Sequence, residues 1–357
     1  MHLLVFKQGG MGDLLMATPG LRALKKSLPQ ARITFVVGRS NRRVLDNCPY
    51  IDDVIDFDDD YIFKTGRLDQ MKQALRLWRR VRRLKPDAAV ILHRDWRWNL
   101  LFYLAGVPER YGFDRFLNGA FLTKSAPALA EGHEIEKYLR VYGLIDGFRA
   151  DGLTMDLFPS SGDEKAAAEL LTPYQGKTMV AVAPGGAVNV KENRDLARWP
   201  LKKYRGLVEK ILAETDLTVV LIGGPDDRPL TESLCLDKDR VIDTAGRLTV
   251  QQSYLVLKAC RAMVTHDCGP MHIGSAAGIP IVALFGTTLP NDKAPRTDPI
   301  GMVIWKGRDM PCSPCYREGR SPECAHHDCM RRIEPDEVLE AIREILKKTG
   351  AHVPSAS

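Results

Sequence analysis

The residues best placed for chemistry lie where an apolar strand ends in a tight turn and restarts as a helix. Thr265 to Gly286 reads THDCGPMHIGSAAGIPIVALFG. Residues 262–265 are short and apolar, and Asp267-Cys268-Gly269-Pro270 is turn chemistry. Pro270 suits the first helical position, where its missing N–H would go unpaired anyway. The pattern predicts a short helix over 271–277, stopped by Gly278, and then a buried strand over 280–285. A helix opened by Gly269-Pro270 turns its backbone N–H groups, near Met271 and His272, toward whatever sits above the sheet. That end suits an anion such as a diphosphate. Asp267 and His272 flank it and can read the rest of a ligand. The same residues also make an ordinary strand-to-helix crossover with a satisfied histidine.

A carboxylate stands at a second such junction. His2 to Lys7 reads as a strand, Gln8-Gly9-Gly10-Met11-Gly12 as a turn, and a helix is expected from about Asp13 to Leu28. Asp13 can cap that helix. Held beside a ligand, it can instead take a proton from a hydroxyl. Gly12 and the glycines before it let a sugar approach the backbone. Two further glycine turns follow strands, at Pro184-Gly185-Gly186 and at Gly223-Gly224-Pro225-Asp226-Asp227. Arg198, fixed beside Trp199-Pro200, is a cation able to neutralise a leaving diphosphate. Asp227 can accept from a ribose diol, or merely place negative charge at a helix start. Arg94 and Arg97, in the run His93 to Trp98 after a strand, can hold a sugar acid or phosphate or simply pack on the surface. Cys312, Cys315, Cys324 and Cys329, with His326 and His327 among them, come close to metal-ligand spacing. They match no standard zinc unit, so a reduced thiol loop without metal is expected.

Several of these pieces together resemble glycosyltransferase family nine, the heptosyltransferases of lipopolysaccharide core synthesis. The resemblance rests on the 265–286 stretch, on GDLLMATPGLRALKKSLP beginning at Gly12, on PGGA followed by RWP, and on LIGGPDD. It spans both halves of the chain in the right order. It implies that Asp13 is the catalytic base and that the donor is an ADP-sugar. It also implies that Asp227 contacts ribose, that Leu248 lies at the adenine, and that Asp267 reads the donor sugar. Gly185, Gly186 and the turn Gly269-Pro270-Met271-His272, through the N–H groups of Gly269, Met271 and His272, would receive the diphosphate. The family carries a lysine two residues before the tryptophan; here Ala197 stands there, leaving Arg198, Arg194 or Lys191 as the cation, with Arg198 favoured. The resemblance implies no metal and no cofactor beyond the nucleotide sugar, and an anionic glycolipid as acceptor. Rival readings are a transferase with another nucleotide sugar, an epimerase, and a nucleotide-sugar binder without turnover.

These residues need rigid supports, and the sequence supplies alternating strands and helices. The expected architecture is α/β, the GT-B type, with two Rossmann-like parallel-sheet domains facing a central cleft. The expected division is 1–160 for the acceptor, 161–333 for the donor, and 334–357 as a helix and tail reaching back toward the first domain. A helix is predicted over 67–84, with Leu68, Met71, Leu75 and Trp78 inward and a basic outer face. That face is either a solvated surface or a contact for anionic lipid or glycolipid phosphate. The length of 357 residues suits two domains, and a formal charge of +6 fits an anionic partner without pointing to nucleic acid. No apolar run reaches a membrane span and no signal peptide is visible, so a cytoplasmic protein, in peripheral contact with the inner membrane, is expected.

Overall fold

The computed structural model describes residues 1–59, 67–114, 116–128, 131–186, 196–296, 301–315, 324 and 326–350. The chain divides into two compact units, Met1–Phe158 and Pro159–Ser357. Each is built on a six-stranded, wholly parallel sheet.

In the first unit the strands are β1 (His2–Lys7), β2 (Arg32–Gly38), β3 (Asp53–Phe57), β4 (Ala88–Ile91), β5 (Glu109–Asp114) and β6 (Lys124–Pro127). Their order is β3-β2-β1-β4-β5-β6. In the second they are β7 (Met179–Ala183), β8 (Thr218–Leu221), β9 (Val241–Asp243), β10 (Ala262–His266), β11 (Ile281–Phe285) and β12 (Met302–Trp305), in the order β12-β11-β10-β7-β8-β9. The two orders are the same path followed twice. Central strands such as LLVF, VAVA and IVALF are apolar throughout because helices cover both faces of a parallel sheet. In each sheet the winding reverses once, between β1 and β4 and between β7 and β10. At such a reversal the connections leave in opposite directions, and a crevice opens beyond the strand ends.

Three expectations change. The helix expected from Asp13 to Leu28 is two helices, Met11–Leu15 and Thr18–Ser27. Pro19 has no N–H for the carbonyl of Leu15, and the Thr18 hydroxyl donates to that carbonyl instead, at 2.7 Å. The helix Arg67–Leu84 forms as expected but is turned about its axis. Leu77 and Val81 are buried, whereas Met71 and Leu75 face solvent. The helix Pro335–Lys348, read as reaching back to the first half, puts its apolar stripe into the second unit's own core. Val338, Ile342 and Ile345 join Trp199, Leu207 and Ile211 there, because the stripe matches the face left open by the helix Leu201–Glu214. Among the described residues no helix is long and apolar enough to cross a membrane.

Candidate functional site

In the second unit the turns after β7, β8 and β10 meet at the strand-order reversal. A Cβ on Gly186 would stand 3.0 Å from the Cβ of Cys268, and one on Gly185 would strike the Asp227 carboxylate at 2.1 Å. Gly185 therefore has no room for a side chain while Asp227 stands there, and Gly186 has little. Asp227 is buried, and its two oxygens accept from the backbone N–H of Gly186 at 3.0 Å and of Gly224 at 2.8 Å. It thus ties two glycine turns together, a role beyond the charged helix start read from sequence. The turn at Gly246 (φ +67°) completes the group; a Cβ there would meet Pro225 at 2.9 Å. Leu248 sits half-buried on this turn.

The helix Gly269–Ala276 begins at the end of β10, with Pro270 in its first turn. It starts two residues earlier than the sequence pattern gave and ends before Gly278, which takes φ +72°. Asp267 and His272 are buried on either side of its start, and the Thr288 hydroxyl donates to Asp267 at 2.8 Å. Burial pushes the Cys268 thiol up to about 12, so it is a packing group here and not a nucleophile. The Arg198 guanidinium lies 3.5 Å from the Gly186 carbonyl. Its neighbour Trp199 is fully buried and donates to the Ile333 carbonyl at 3.1 Å, which anchors the arginine's backbone at this edge of the turns. Lys191 and Arg194, the other candidate cations, lie outside the described residues.

In the first unit the reversal brings Asp13 beside the end of β4. Asp13 is the third residue of the helix Met11–Leu15, and its Oδ2 accepts from the Gly10 N–H at 3.1 Å. The capping role is therefore real, and it also holds the carboxylate over the Gly9-Gly10 turn. Gly12 is buried within that helix. His93 and Arg94 come from the end of β4. Asp95 donates its N–H to His93 Nδ1 at 3.0 Å, so the neutral ring carries its hydrogen on Nε2. Packing against the rings of Phe6 and Trp98, with Lys7 nearby, depresses the His93 pKa to about 3.

The structure separates the two arginines read as acceptor contacts. Arg97 is exposed and pairs with Asp95. Arg94 forms a bidentate pair with Glu134, at 2.9 and 3.0 Å, with its guanidinium 4.7 Å from the Phe113 ring. Lys137 reaches the same carboxylate at 3.2 Å, and the buried Lys7 ammonium lies 4.8 Å from the Tyr138 ring. Burial pushes the Glu134 carboxyl up, but the Arg94 and Lys137 charges outweigh it and hold it below the usual range. Lys7, His93, Glu134 and Lys137 were not among the residues chosen from sequence. A lysine closing an otherwise apolar strand was the one local signal, since lysine is seldom buried without a partner.

His93 makes the fold acid-sensitive. Its folded pKa lies below the ordinary 6.5, so the unfolded chain binds more protons as pH falls from there toward about 3. Stability is therefore lost on acidification, by at most about 1.4 kcal/mol per pH unit, the limit for one proton. Denaturation curves across this range are expected to be flatter for His93→Asn; an unchanged slope would assign the sensitivity elsewhere.

Cys48, Cys235, Cys260, Cys268, Cys312, Cys324 and Cys329 are free thiols. Cys324 Sγ accepts from the His327 N–H at 3.3 Å, and the His327 ring meets the Leu196 carbonyl at 2.6 Å. Among the described residues no three His, Cys, Asp or Glu side chains are arranged to hold a metal ion.

Two doubly wound parallel units in tandem, each with polar turns gathered at its reversal, define the GT-B class of glycosyltransferases. Residues 74–326 match the model of glycosyltransferase family 9 (heptosyltransferase), and the chain belongs to that family. It is similar to lipopolysaccharide heptosyltransferase 2 of Salmonella typhimurium, at 25% identity over 98% of this chain and 100% of the relative. In structure it is similar to E. coli ADP-heptose LPS heptosyltransferase II, with TM-score 0.75 and 22% identity, covering 98% and 100% of the two chains. A second E. coli heptosyltransferase, solved with ADP, gives TM-score 0.72 at 17% identity, covering 97% and 100%.

Proposed function

We propose that this glycosyltransferase transfers a heptose from ADP-heptose, with inversion, to an anionic inner-core lipopolysaccharide acceptor at the cytoplasmic face of the inner membrane. The observation that carries the reading is the placement of Asp13 and of the Gly269–Ala276 helix start. Each stands at the strand-order reversal of its own sheet, where such folds put reacting groups. The relatives' names supply the sugar, the nucleotide and the lipid class.

In this mechanism Asp13 takes the proton of an acceptor hydroxyl as that oxygen attacks the anomeric carbon from the face opposite ADP. The bond between the anomeric carbon and the phosphate oxygen breaks, and ADP leaves with the electron pair. Arg198 and the N–H groups at Gly269, Met271 and His272 take up the charge developing on the diphosphate. Fixed dipoles and a guanidinium serve this purpose in place of a metal or further cofactor. Gly185 and Gly186 admit the diphosphate close to the backbone, Leu248 packs on adenine, and Asp267 reads sugar hydroxyls. Asp227 acts at the ribose while holding its two turns. On the acceptor side Arg97 is the exposed cation for a phosphate, and Gly12, buried in its helix, offers the sugar no open surface.

Calorimetry of the purified protein against ADP, UDP and GDP tests the donor. ADP is expected to bind most tightly, and a clear preference for UDP would point to a transferase with another nucleotide sugar. Arg198→Ala should weaken ADP binding by about 1.5–3 kcal/mol, the value of a hydrogen bond to a charged group. Normal ADP binding by Arg198→Ala, with loss in Lys191→Ala, would move the role to Lys191.

A further inference from the structure

The buried Asp267 carboxylate is held by a hydroxyl from the end of a neighbouring strand. Thr288 Oγ1 donates to Asp267 Oδ2 at 2.8 Å, across 21 residues of chain. The strands β10 and β11 pair in parallel, with His266 opposite Leu284. Asp267 follows β10 directly, and Thr288 stands three residues beyond Phe285, the last residue of β11. Both therefore lie past the same ends of the sheet, beside the start of the helix Gly269–Ala276. Asp267 is 6% exposed, whereas Thr288 is half-buried. The carboxylate is enclosed, and the hydroxyl that holds it is nearer to solvent.

The turn that delivers Thr288 is itself braced. A Cβ on Gly286 would lie 2.6 Å from Met330 Sδ and 2.9 Å from Cys329 Sγ, so the chain leaving β11 passes tightly over the helix Asp328–Arg331. The Ser313 hydroxyl donates to the Gly286 carbonyl at 3.2 Å. Thr287 is buried, and Pro290 then opens the short helix Pro290–Lys293. Ser313, Cys329 and Met330 all belong to the cysteine-rich stretch. Their packing fixes the place from which Thr288 reaches Asp267.

A carboxylate that reads sugar hydroxyls binds best when its plane is set before the ligand arrives, since ordering it afterwards costs affinity. A donor carried by a second, braced strand end sets that plane. One such bond does not exhaust a carboxylate, whose two oxygens can accept several. We propose that Thr288 is a positioning residue for the donor sugar: it holds Asp267 oriented toward the sugar hydroxyls, and so raises affinity for the nucleotide sugar without raising it for the bare nucleotide. The inference rests on the proposed role of Asp267 at the sugar and adds the residue that makes that role effective.

Calorimetry with ADP-heptose and with ADP, together with steady-state transfer, compares wild type, Thr288→Val, Thr288→Ser, Asp267→Ala and the double variant. Valine keeps the shape of threonine and removes the donor. Thr288→Val should weaken ADP-heptose binding about tenfold, the lower end for a hydrogen bond to a charged group. KM for ADP-heptose should rise by the same factor with kcat little changed. ADP affinity and melting temperature should stay at wild-type values. Thr288→Ser restores the hydroxyl and should recover ADP-heptose affinity. In the Asp267→Ala background Thr288→Val should cost little more, because Thr288 acts through that carboxylate. Equal losses for ADP and ADP-heptose would make the bond merely structural. No recovery in Thr288→Ser, or full additivity with Asp267→Ala, would also overturn the proposal. Wild-type binding of ADP-heptose that Thr288→Val leaves intact would sink this inference alone. No binding of ADP-heptose by the wild type would sink the donor reading and this inference with it.

Discussion

Asp13→Asn is expected to abolish heptosyl transfer while leaving nucleotide binding nearly unchanged. The carboxylate has two separable duties. As a cap it accepts the Gly10 N–H at 3.1 Å, and the carbonyl oxygen of asparagine can accept the same bond. The short helix Met11–Leu15 should therefore form, and the chain should fold. As a base it must accept a proton, which an amide does not do near neutral pH. A positioned general base contributes on the order of 10²–10⁴-fold, so the loss is large. The proposed nucleotide contacts all belong to the second unit, which this substitution does not touch. Single-turnover transfer and ADP calorimetry on one preparation separate the outcomes. Near-normal turnover would leave Asp13 as a cap alone. Parallel loss of ADP affinity would make it structural or part of the donor site.

That the same residue was picked from sequence has a local cause. A strand, a glycine turn and an acidic helix start lie within a dozen residues, and Asp13 is fixed by bonds to its own turn. The glycine turns at Gly185-Gly186 and Gly223-Gly224 were legible for the same reason. The central strands were too, because burial on both faces leaves an unbroken apolar run. The interior strand β5 and the edge strands β6 and β12 were not read. Glu109, Arg110 and Lys124 interrupt their apolar pattern, and an edge needs only one partner to form. The helix Arg67–Leu84 carries two apolar stripes, one through Met71 and Leu75 and one through Leu77 and Val81. Its sequence does not say which the sheet will cover, and the structure buries the second. The ion-pair cluster was invisible for a stronger reason. Arg94 and Glu134 are 40 residues apart, with β5 and β6 between them in the chain, so no local pattern pairs them.

Removal of Glu134 is expected to destabilise the first unit strongly. Glu134 is 9% exposed at its side chain and Arg94 27%, so neither charge is well solvated by water. Replacing such a pair whole with apolar groups is often neutral, but removing one partner leaves the other charge buried and costs about 3–5 kcal/mol. Here Glu134→Ala removes the carboxylate that Arg94 and Lys137 share, close to the buried Lys7. Glu134→Gln should lose less, since its carbonyl still accepts from Arg94. Arg94→Met combined with Glu134→Leu should recover most of the loss, because no buried charge remains. Urea unfolding of the full chain, with amide exchange followed at β1 and β4, reads the first unit in particular. The pair should also fade in acid: the Glu134 pKa is held below its ordinary value, so the contribution is whole above the ordinary carboxylate range and lost as pH falls through the lowered pKa. A loss under about 1 kcal/mol in Glu134→Ala would show that solvent screens the pair like one on the surface. Arg94 would then be available to an acceptor phosphate alongside Arg97.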